Sequence, residues 1–357
     1  MTAPLSRTFW AGRRVFVTGH TGFKGGWLLA LLRQLGAEAH GYALEPPSTP
    51  NLFGAAGIGR LGASTIGDIR DGARLGAAMN AAKPEIVLHL AAQALVRPAR
   101  AEPVETFSTN VVGTAQVLDA VRQSPGVKAC IVVTSDKVYD NVEWPWAYRE
   151  TDRLGGKEPY GASKACTEIV VEAYRYSYFS GGDSSCQLAT ARAGNVIGGG
   201  DWAEDRLIPD AVRAFSKGLP LVVRNPAAVR PWQHVLEPLA GYLKLGQALC
   251  ERPDELPKPL AFNFGPHAED AVPVRAIADQ ISARWGASAA WGQDQGFQPY
   301  EARLLEVDSA KSRVALGWAP RWRLKDTLDR TVDWYKAFNA GQDMQAFTLA
   351  QTDEYLT

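Results

Sequence analysis

Short apolar runs alternate with amphipathic stretches along the first half of the chain. Residues 14–18 (Arg14-Val15-Phe16-Val17-Thr18) read as a strand that runs into a glycine turn, and a helical pattern follows over 27–35. Residues 37–44, 66–69 and 85–90 read as further strands, with helices predicted over 71–82 and 104–122. The wholly apolar run 129–133 reads as a buried strand, 160–179 as a helix and 187–193 as one more strand. This alternation predicts an α/β fold built on a doubly wound parallel Rossmann sheet. At Gly194 the character changes. Residues 194–202 are too glycine-rich for a regular element and predict a shaped loop. Beyond it, 206–209 opens a helix, 221–226 holds a short strand, 263–265 ends another, 300–320 holds a strand and a short helix, and 324–338 is amphipathic. The expected division is a large domain over 1–193 that also receives 235–260, and a smaller, discontinuous α/β domain mainly over 194–340. The Pro- and Gly-rich 46–62 predicts a surface loop, and the polar 341–357 a loosely held tail.

At 357 residues, the length fits about two domains. Lys+Arg and Asp+Glu both number 38, so no overall charge draws the chain to nucleic acid or a membrane, and any positive site is local. Cys130, Cys166, Cys186 and Cys250 are scattered, without the spacing of a metal site, so no metal is expected. The start of the chain lacks a signal-like apolar run, and no stretch of membrane-spanning length exists, which predicts a reducing cytoplasm.

Candidate chemistry gathers at strand ends. Strand, Gly19-x-x-Gly22-x-x-Gly25 and helix is the setting of a dinucleotide fingerprint. Gly19 allows the tight turn, Gly22 the approach of a pyrophosphate, and Gly25 close packing of helix on strand. No acidic residue ends the second strand (Glu45 is the nearest) and no arginine follows, which favours NAD over NADP. Asp68 reads either as an acceptor for the adenine amino group or as a helix N-cap. His89 lies inside a strand and reads as a satisfied core histidine, while the small Ala91 and Ala92 leave room for a cofactor. Tyr160 and Lys164, four apart on a helix, share one face, and a cation one turn along stabilises a phenolate. Arginines beside Trp232, in a chain of balanced charge, suggest a small-anion site.

Together, Thr18-Gly19-x-x-Gly22-x-x-Gly25, Asp68-Ile69, His89-Leu90-Ala91-Ala92, Asn110, Tyr160-x-x-x-Lys164, Asn195 and the 305–318 segment resemble the extended short-chain dehydrogenase/reductase family, over nearly the whole chain. Three stretches resemble the branch of that family that dehydrates CDP-glucose at carbons 4 and 6: 18–25, Ser135-Asp136-Lys137 and Arg230-Pro231-Trp232-Gln233-His234. The resemblance implies NAD as cofactor, held by Gly19, Thr21, Gly22, Phe23, Lys24, Gly25, Asp68, Ile69, Leu90, Ala91, Ala92, Asn110, Tyr160 and Lys164. It implies CDP-glucose as substrate, met by Gln93, Asn195, Arg206, Leu207, Val223, Arg224, Arg230 and Glu301. Tyr160 would take the proton of the sugar 4-hydroxyl beside Ser135, with Lys164 lowering its pKa; Lys137 would be the base at C5 and Asp136 the acid for the departing 6-hydroxyl. Moving one proton from that lysine to the aspartate in a dry pocket creates both reactive forms. Because the two are neighbours, they must lie beyond the strand's end to face one site. A homodimer through the helices of 104–122 and 160–179 is also implied. The alternatives are a nucleotide-sugar 4-epimerase, a dehydratase of another nucleotide, and a non-catalytic dinucleotide sensor.

Overall fold

The computed structural model describes residues 4–180, 186–286, 288–296 and 302–357. Seven parallel strands form the main sheet: β1 (Arg14–Thr18), β2 (Glu38–Ala43), β3 (Ala63–Ile66), β4 (Ile86–His89), β5 (Ala129–Val133), β6 (Gln187–Ala193) and β7 (Ala261–Phe264). Their order, β7-β6-β5-β4-β1-β2-β3, reverses direction between β1 and β4, so the crevice at the carboxyl ends of those two strands is where such a sheet receives ligands. Alternate residues face opposite apolar layers, as the pleat requires. Val15, Val17, Ile86, Leu88 and Ile131 pack with the Phe23–Gln34 and Leu236–Glu251 helices. Phe16, Val87, Cys130 and Val132 pack with the helices Gly72–Ala82, Gly113–Arg122 and Pro159–Tyr178. Burial on both faces explains why these strands read as continuous apolar runs.

The smaller unit is built from short pieces: the Leu207–Phe215 and Val274–Trp285 helices and three two-stranded sheets. One of these pairs Leu221–Val223 with Trp291–Gln293, and another pairs Val229–Pro231 with Ala271–Pro273. Among the described residues no helix is long and apolar enough to cross a membrane.

Several expectations are corrected. The expected tail is a docked helix, Met344–Leu356, capped by Asp343 and packed on the Phe23–Gln34 helix. Its polar side chains are buried because each finds a partner: Trp334 Nε1 donates to Thr348 Oγ1 at 2.9 Å and the Tyr355 hydroxyl to Glu237 Oε2 at 2.8 Å. The expected surface loop of 46–62 folds into the Leu52–Ala55 helix and a 3₁₀ turn, burying Leu52 and Ile58 against Gly26 and Gly200. The long helix expected over 104–122 is interrupted by a π turn, Ser108–Val112. The hydroxyls of Thr114 and Thr167 both donate to the Asn110 carbonyl, at 2.6 and 2.9 Å, and so compete for a helical acceptor. Within 302–320 the expected strand reduces to a single bridge from Val307 to Tyr148. The chain stays in the large sheet through Phe264, past the expected limit of 260.

Candidate active site

A cleft of about 780 Å³ opens at the carboxyl ends of β1, β4, β5 and β6, roofed by the smaller unit. The glycine turn forms its floor. Gly19 sits at φ +82°, and a Cβ there would stand 2.7 Å from the Ala91 nitrogen; one on Gly25 would stand 2.1 Å from the Gly19 carbonyl oxygen. Gly22 is the N-cap of the Phe23–Gln34 helix and gives it no side-chain cap, so the first amide N–H groups of that helix remain for a ligand. Uncapped amides facing a cleft, behind a turn with no room for side chains, fit the pyrophosphate of a dinucleotide. Thr21 anchors the turn by donating to the Leu44 carbonyl at 2.8 Å, and Phe23 lines the cleft near Gly198. The Lys24 ammonium points to the Tyr242 hydroxyl at 3.4 Å. Burial, and then the charges of Arg206 and Lys164, pull its pKa down to about 7 against the opposing pull of Asp136.

Leu90, Ala91, Ala92 and Gln93 line the cleft beyond β4. Thr18 Oγ1 holds this end of the strand, accepting from the Leu90 and Ala91 amides at 3.2 and 3.1 Å. His89 is a core residue as expected: its ring bridges Thr18 and Thr114, and burial lowers its pKa to about 3. Asp68 and Ile69 reach the cleft from the loop after β3, which ends earlier than expected, at Ile66. Asp68 is not the helix cap; that is Asp71, which accepts from the Arg74 amide. Instead Asp68 is forked by Arg70, which holds its carboxyl below the usual range. Asn110 lies just outside the cleft lining, buried in the π turn, where it accepts from the Gln93 amide at 2.8 Å and donates to Gln93 O and Ser163 Oγ. It therefore ties the cleft floor to the tyrosine helix.

Pro159–Tyr178 starts well because Glu158 accepts from the Tyr160 and Gly161 amides and Pro159 takes the first position. Tyr160 and Lys164 are both buried at the cleft. The Lys164 ammonium donates to the Val133 carbonyl at 3.1 Å, and burial lowers its pKa to about 8 while Glu168 opposes the shift. Against the expected lowering, the protein groups around Tyr160 raise its pKa. Burial pushes the phenol up to about 12, and a hydrogen bond with Ser135 pulls it back in part. β5 ends at Val133, and Asp136–Val138 forms a 3₁₀ turn that brings Ser135, Asp136 and Lys137 to the cleft together. Ser135 Oγ accepts from the Lys137 amide and donates to Asp136 Oδ1 at 3.0 Å. Asp136 Oδ2 is buried with no hydrogen-bond partner among the described residues.

The smaller unit contributes Asn195, Arg206, Leu207, Val223, Arg224 and Arg230, all lining the cleft. Arg206 pairs with Asp201 at 3.0 Å, and Arg224 with Asp205 at 2.9 Å. Arg230 donates to the Val229 carbonyl, and Val223 is nearly fully buried. Glu301 lies outside the described residues. Arg97 is a residue the sequence reading missed: it lines the cleft from the opposite side and meets Asp205 at 2.9 Å. No local pattern around Arg97 signals this, because its partner lies far along the chain.

With this geometry in place, the comparisons are decisive on class: the chain belongs to the NAD dependent epimerase/dehydratase family, whose profile matches residues 15–265. Among curated proteins it is 47% identical over 356 residues to a CDP-glucose 4,6-dehydratase of Salmonella typhimurium, covering 99% of each chain. It is 28% identical to a dTDP-glucose 4,6-dehydratase of Xanthomonas campestris pv. campestris, over 89% of this chain and 92% of that one. A crystal structure of UDP-glucose-4-epimerase from Stenotrophomonas maltophila, with bound NAD and formylated UDP-arabinopyranose, superposes with TM-score 0.79 at 22% identity, covering 92% of this chain and 99% of that one; at that identity the likeness speaks for the fold.

Proposed function

We propose that the protein is a nucleotide-sugar 4,6-dehydratase that converts CDP-D-glucose to CDP-4-dehydro-6-deoxy-D-glucose and water. The observation that carries this reading is the meeting of Tyr160 and Lys164 with Ser135, Asp136 and Lys137 in one cleft. An epimerase needs the first pair but has no use for an acid and a base aimed at an elimination. The similarity to the Salmonella enzyme supports cytidine as the nucleotide.

NAD fits the glycine turn and the uncapped helix terminus described above, with Leu90, Ala91 and Ala92 along its path. The chemistry it supplies when bound is a reversible two-electron store, filled from sugar C4 and emptied at C6. The rest falls to this chain's own groups. Tyr160 takes the proton of the 4-hydroxyl, with Ser135 hydrogen-bonded to the same oxygen and Lys164 supplying a cation one turn along. The 4-ketone makes the C5 hydrogen acidic. Lys137 removes that proton, and Asp136 protonates the 6-hydroxyl, which leaves as water. C5 regains a proton from Lys137, and the proton taken at Tyr160 balances the one that Asp136 gave. Net loss is one water, with no change in oxidation state of the cofactor. Arg206, Arg224 and Arg230 hold the diphosphate by charge-assisted forks.

The proposal includes a cytoplasmic homodimer, assembled through the tyrosine helix and the helical segment containing Val112. Val112, Ile169 and Tyr176 project there as exposed apolar side chains. A product of this kind feeds deoxysugar assembly, as in O-antigen. To test the central claim, CDP-, dTDP-, UDP- and GDP-sugars are incubated with purified protein and analysed by mass. Loss of water from CDP-glucose is expected. A product that keeps its 6-hydroxyl with altered stereochemistry at C4 means an epimerase and overturns the reading.

A further inference from the structure

Behind the reacting groups lies a buried ion pair to which the mechanism assigns nothing. Glu168 sits one turn beyond Lys164 on the tyrosine helix, and Arg192 lies on β6; their side chains are each 4% exposed. Both carboxylate oxygens are fully used. Oε1 accepts from Thr134 Oγ1 at 2.5 Å and Arg192 Nε at 2.9 Å. Oε2 accepts from Thr190 Oγ1 at 2.7 Å and Arg192 Nη2 at 2.8 Å. Arg192 Nη1 then donates to the Tyr139 hydroxyl at 3.0 Å and the Glu150 carbonyl at 3.2 Å. Tyr139 passes the contact on, donating to Asn263 Oδ1 at 2.7 Å.

The points of attachment matter more than their number. Thr134 is the residue before Ser135, and Tyr139 follows the 3₁₀ turn that holds Asp136 and Lys137. We propose that the Glu168–Arg192 pair is a positioning device for the elimination step: it clamps both ends of segment 134–139 to the helix carrying Tyr160 and Lys164. The inference rests on the dehydratase reading and deepens it.

Stability alone is a poor account of such a pair. Desolvation of two buried charges cancels much of their attraction, and apolar side chains of similar volume often serve as well. What bonds from a guanidinium and a carboxylate provide that apolar packing does not is direction. The middle of the segment needs an outside frame, because among the described residues Asp136 Oδ2 has no hydrogen-bond partner. The tyrosine helix, by contrast, is held independently by the Glu158 cap and by the Asn110–Ser163 bond. Loosening the clamp therefore shifts the acid and base relative to Tyr160 and leaves the oxidation machinery seated. Glu168 has a supporting electrostatic part: Arg192 keeps it ionised despite burial, and its charge favours the ammonium form of Lys164.

Two variants test this. Tyr139→Phe removes one hydroxyl and leaves the ion pair intact, while Glu168→Gln keeps the shape and removes the charge. With CDP-glucose, each is expected to change KM little and to lower kcat by about 10- to 100-fold, the scale for a misplacement of about an ångström. The discriminating readouts are reduced nicotinamide in the steady state and deuterium uptake at C5 from heavy water. In Tyr139→Phe reduced nicotinamide is expected to rise and uptake to slow, because C4 is still oxidised while elimination stalls; in Glu168→Gln, where Lys164 also loses the charge that favours its ammonium form, uptake is expected to slow with or without that rise. A lower kcat with neither change makes the pair merely structural and overturns the proposal. Should Glu168→Gln fail to fold, Tyr139→Phe decides alone. If the parent protein dehydrates no nucleotide sugar, the functional reading falls and this inference with it, whereas normal turnover by the parent and unaltered partition in Tyr139→Phe sinks the inference only.

Discussion

Gly25 and Gly22, three residues apart in the glycine turn, make different predictions for stability when replaced by alanine, while both predict weaker NAD binding. A Cβ on Gly25 would stand 2.1 Å from the Gly19 carbonyl oxygen and 2.7 Å from both the Gly19 carbonyl carbon and the His20 Cα. All three neighbours are backbone, and ordinary contact begins near 3.4 Å, so helix and turn must part by about 1.3 Å. Overpacking of this kind costs about 1–3 kcal/mol, and a rigid backbone neighbour places it near about 3. Unfolding entropy of ~2.1 cal/mol/K per residue gives the whole chain about 0.75 kcal/mol/K, so Gly25→Ala is expected to lower Tm by about 4 °C. Moving the helix terminus also breaks at least one amide–phosphate bond, worth ~1.5–3 kcal/mol, or about 10- to 100-fold in NAD affinity. Gly22 has an extended φ of −80°, and its added Cβ would meet only the Gly19 oxygen at 3.4 Å. Gly22→Ala is therefore expected to melt within about 2 °C of the parent, alanine being a poorer N-cap than glycine by about 1 kcal/mol, yet to lose NAD affinity because the methyl stands where a pyrophosphate approaches. Thermal unfolding and equilibrium dialysis with NAD read both quantities. The argument fails if Gly25→Ala melts like the parent, or if Gly22→Ala binds NAD as tightly as the parent does.

Tyr160→Phe removes only the phenolic oxygen and is expected to fold normally while turnover falls by at least about 10²-fold; retention of a tenth of the activity would place the C4 base elsewhere. Lys137→Ala is expected to abolish deuterium uptake at C5 in heavy water, and uptake at the parent rate would remove lysine from that role. Tyr355→Phe takes a donor from the buried Glu237, which at ~1.5–3 kcal/mol lowers Tm by about 2–4 °C; an unchanged Tm would mean that the terminal helix adds nothing through this bond. Burial pulls the pKa values of His20, His89 and His234 down to about 4, 3 and 3. The unfolded chain, with its histidines near ~6.5, then binds more protons as pH falls. Their contribution to stability is present above about pH 6.5 and lost toward pH 3–4; ring NMR showing any of the three titrating near 6.5 would contradict this.

What was legible in the chain was what local pattern decides. β5 is legible to the residue, because it is the wholly apolar run that a covered parallel sheet requires, and β6 is legible although it carries Arg192, whose charge meets Glu168 of the tyrosine helix. The glycine turn and the Tyr160 helix were readable for the same reason: steric demand and i to i+4 spacing act within a few residues. The misreadings share the opposite character. The terminal helix reads as loose because its buried face is polar, and the groups that satisfy it, Trp334, Glu237 and the Arg330 carbonyl among them, lie elsewhere in the chain. The helix expected over 104–122 is broken by a π turn in which Thr114 and the distant Thr167 share the Asn110 carbonyl. Arg97 and Asp205 meet across the cleft, a pairing that exists only once both units are folded.

The division of labour within the cleft follows from where β5 stops. Were the strand to continue, Asp136 and Lys137 would point to opposite faces of the sheet. Instead Val133 gives its carbonyl to Lys164, Ser135 stays extended with its hydroxyl accepting from the Lys137 amide, and the chain turns at once into 3₁₀ geometry. That turn puts the proposed acid and base beside a tyrosine that neither of them touches in sequence. In the proposed mechanism the oxidation frame, Tyr160 with Lys164, belongs to a helix, and the elimination pair belongs to a loop of a few residues. A fold shared by epimerases and dehydratases can therefore differ in outcome by the content of this turn while the helix stays the same. It follows that grafting apolar residues at Asp136 and Lys137 should leave C4 oxidation running and elimination stopped, with reduced nicotinamide accumulating on the enzyme. If C4 oxidation also stops, the two halves of the reaction are not separable in the way the strand end implies.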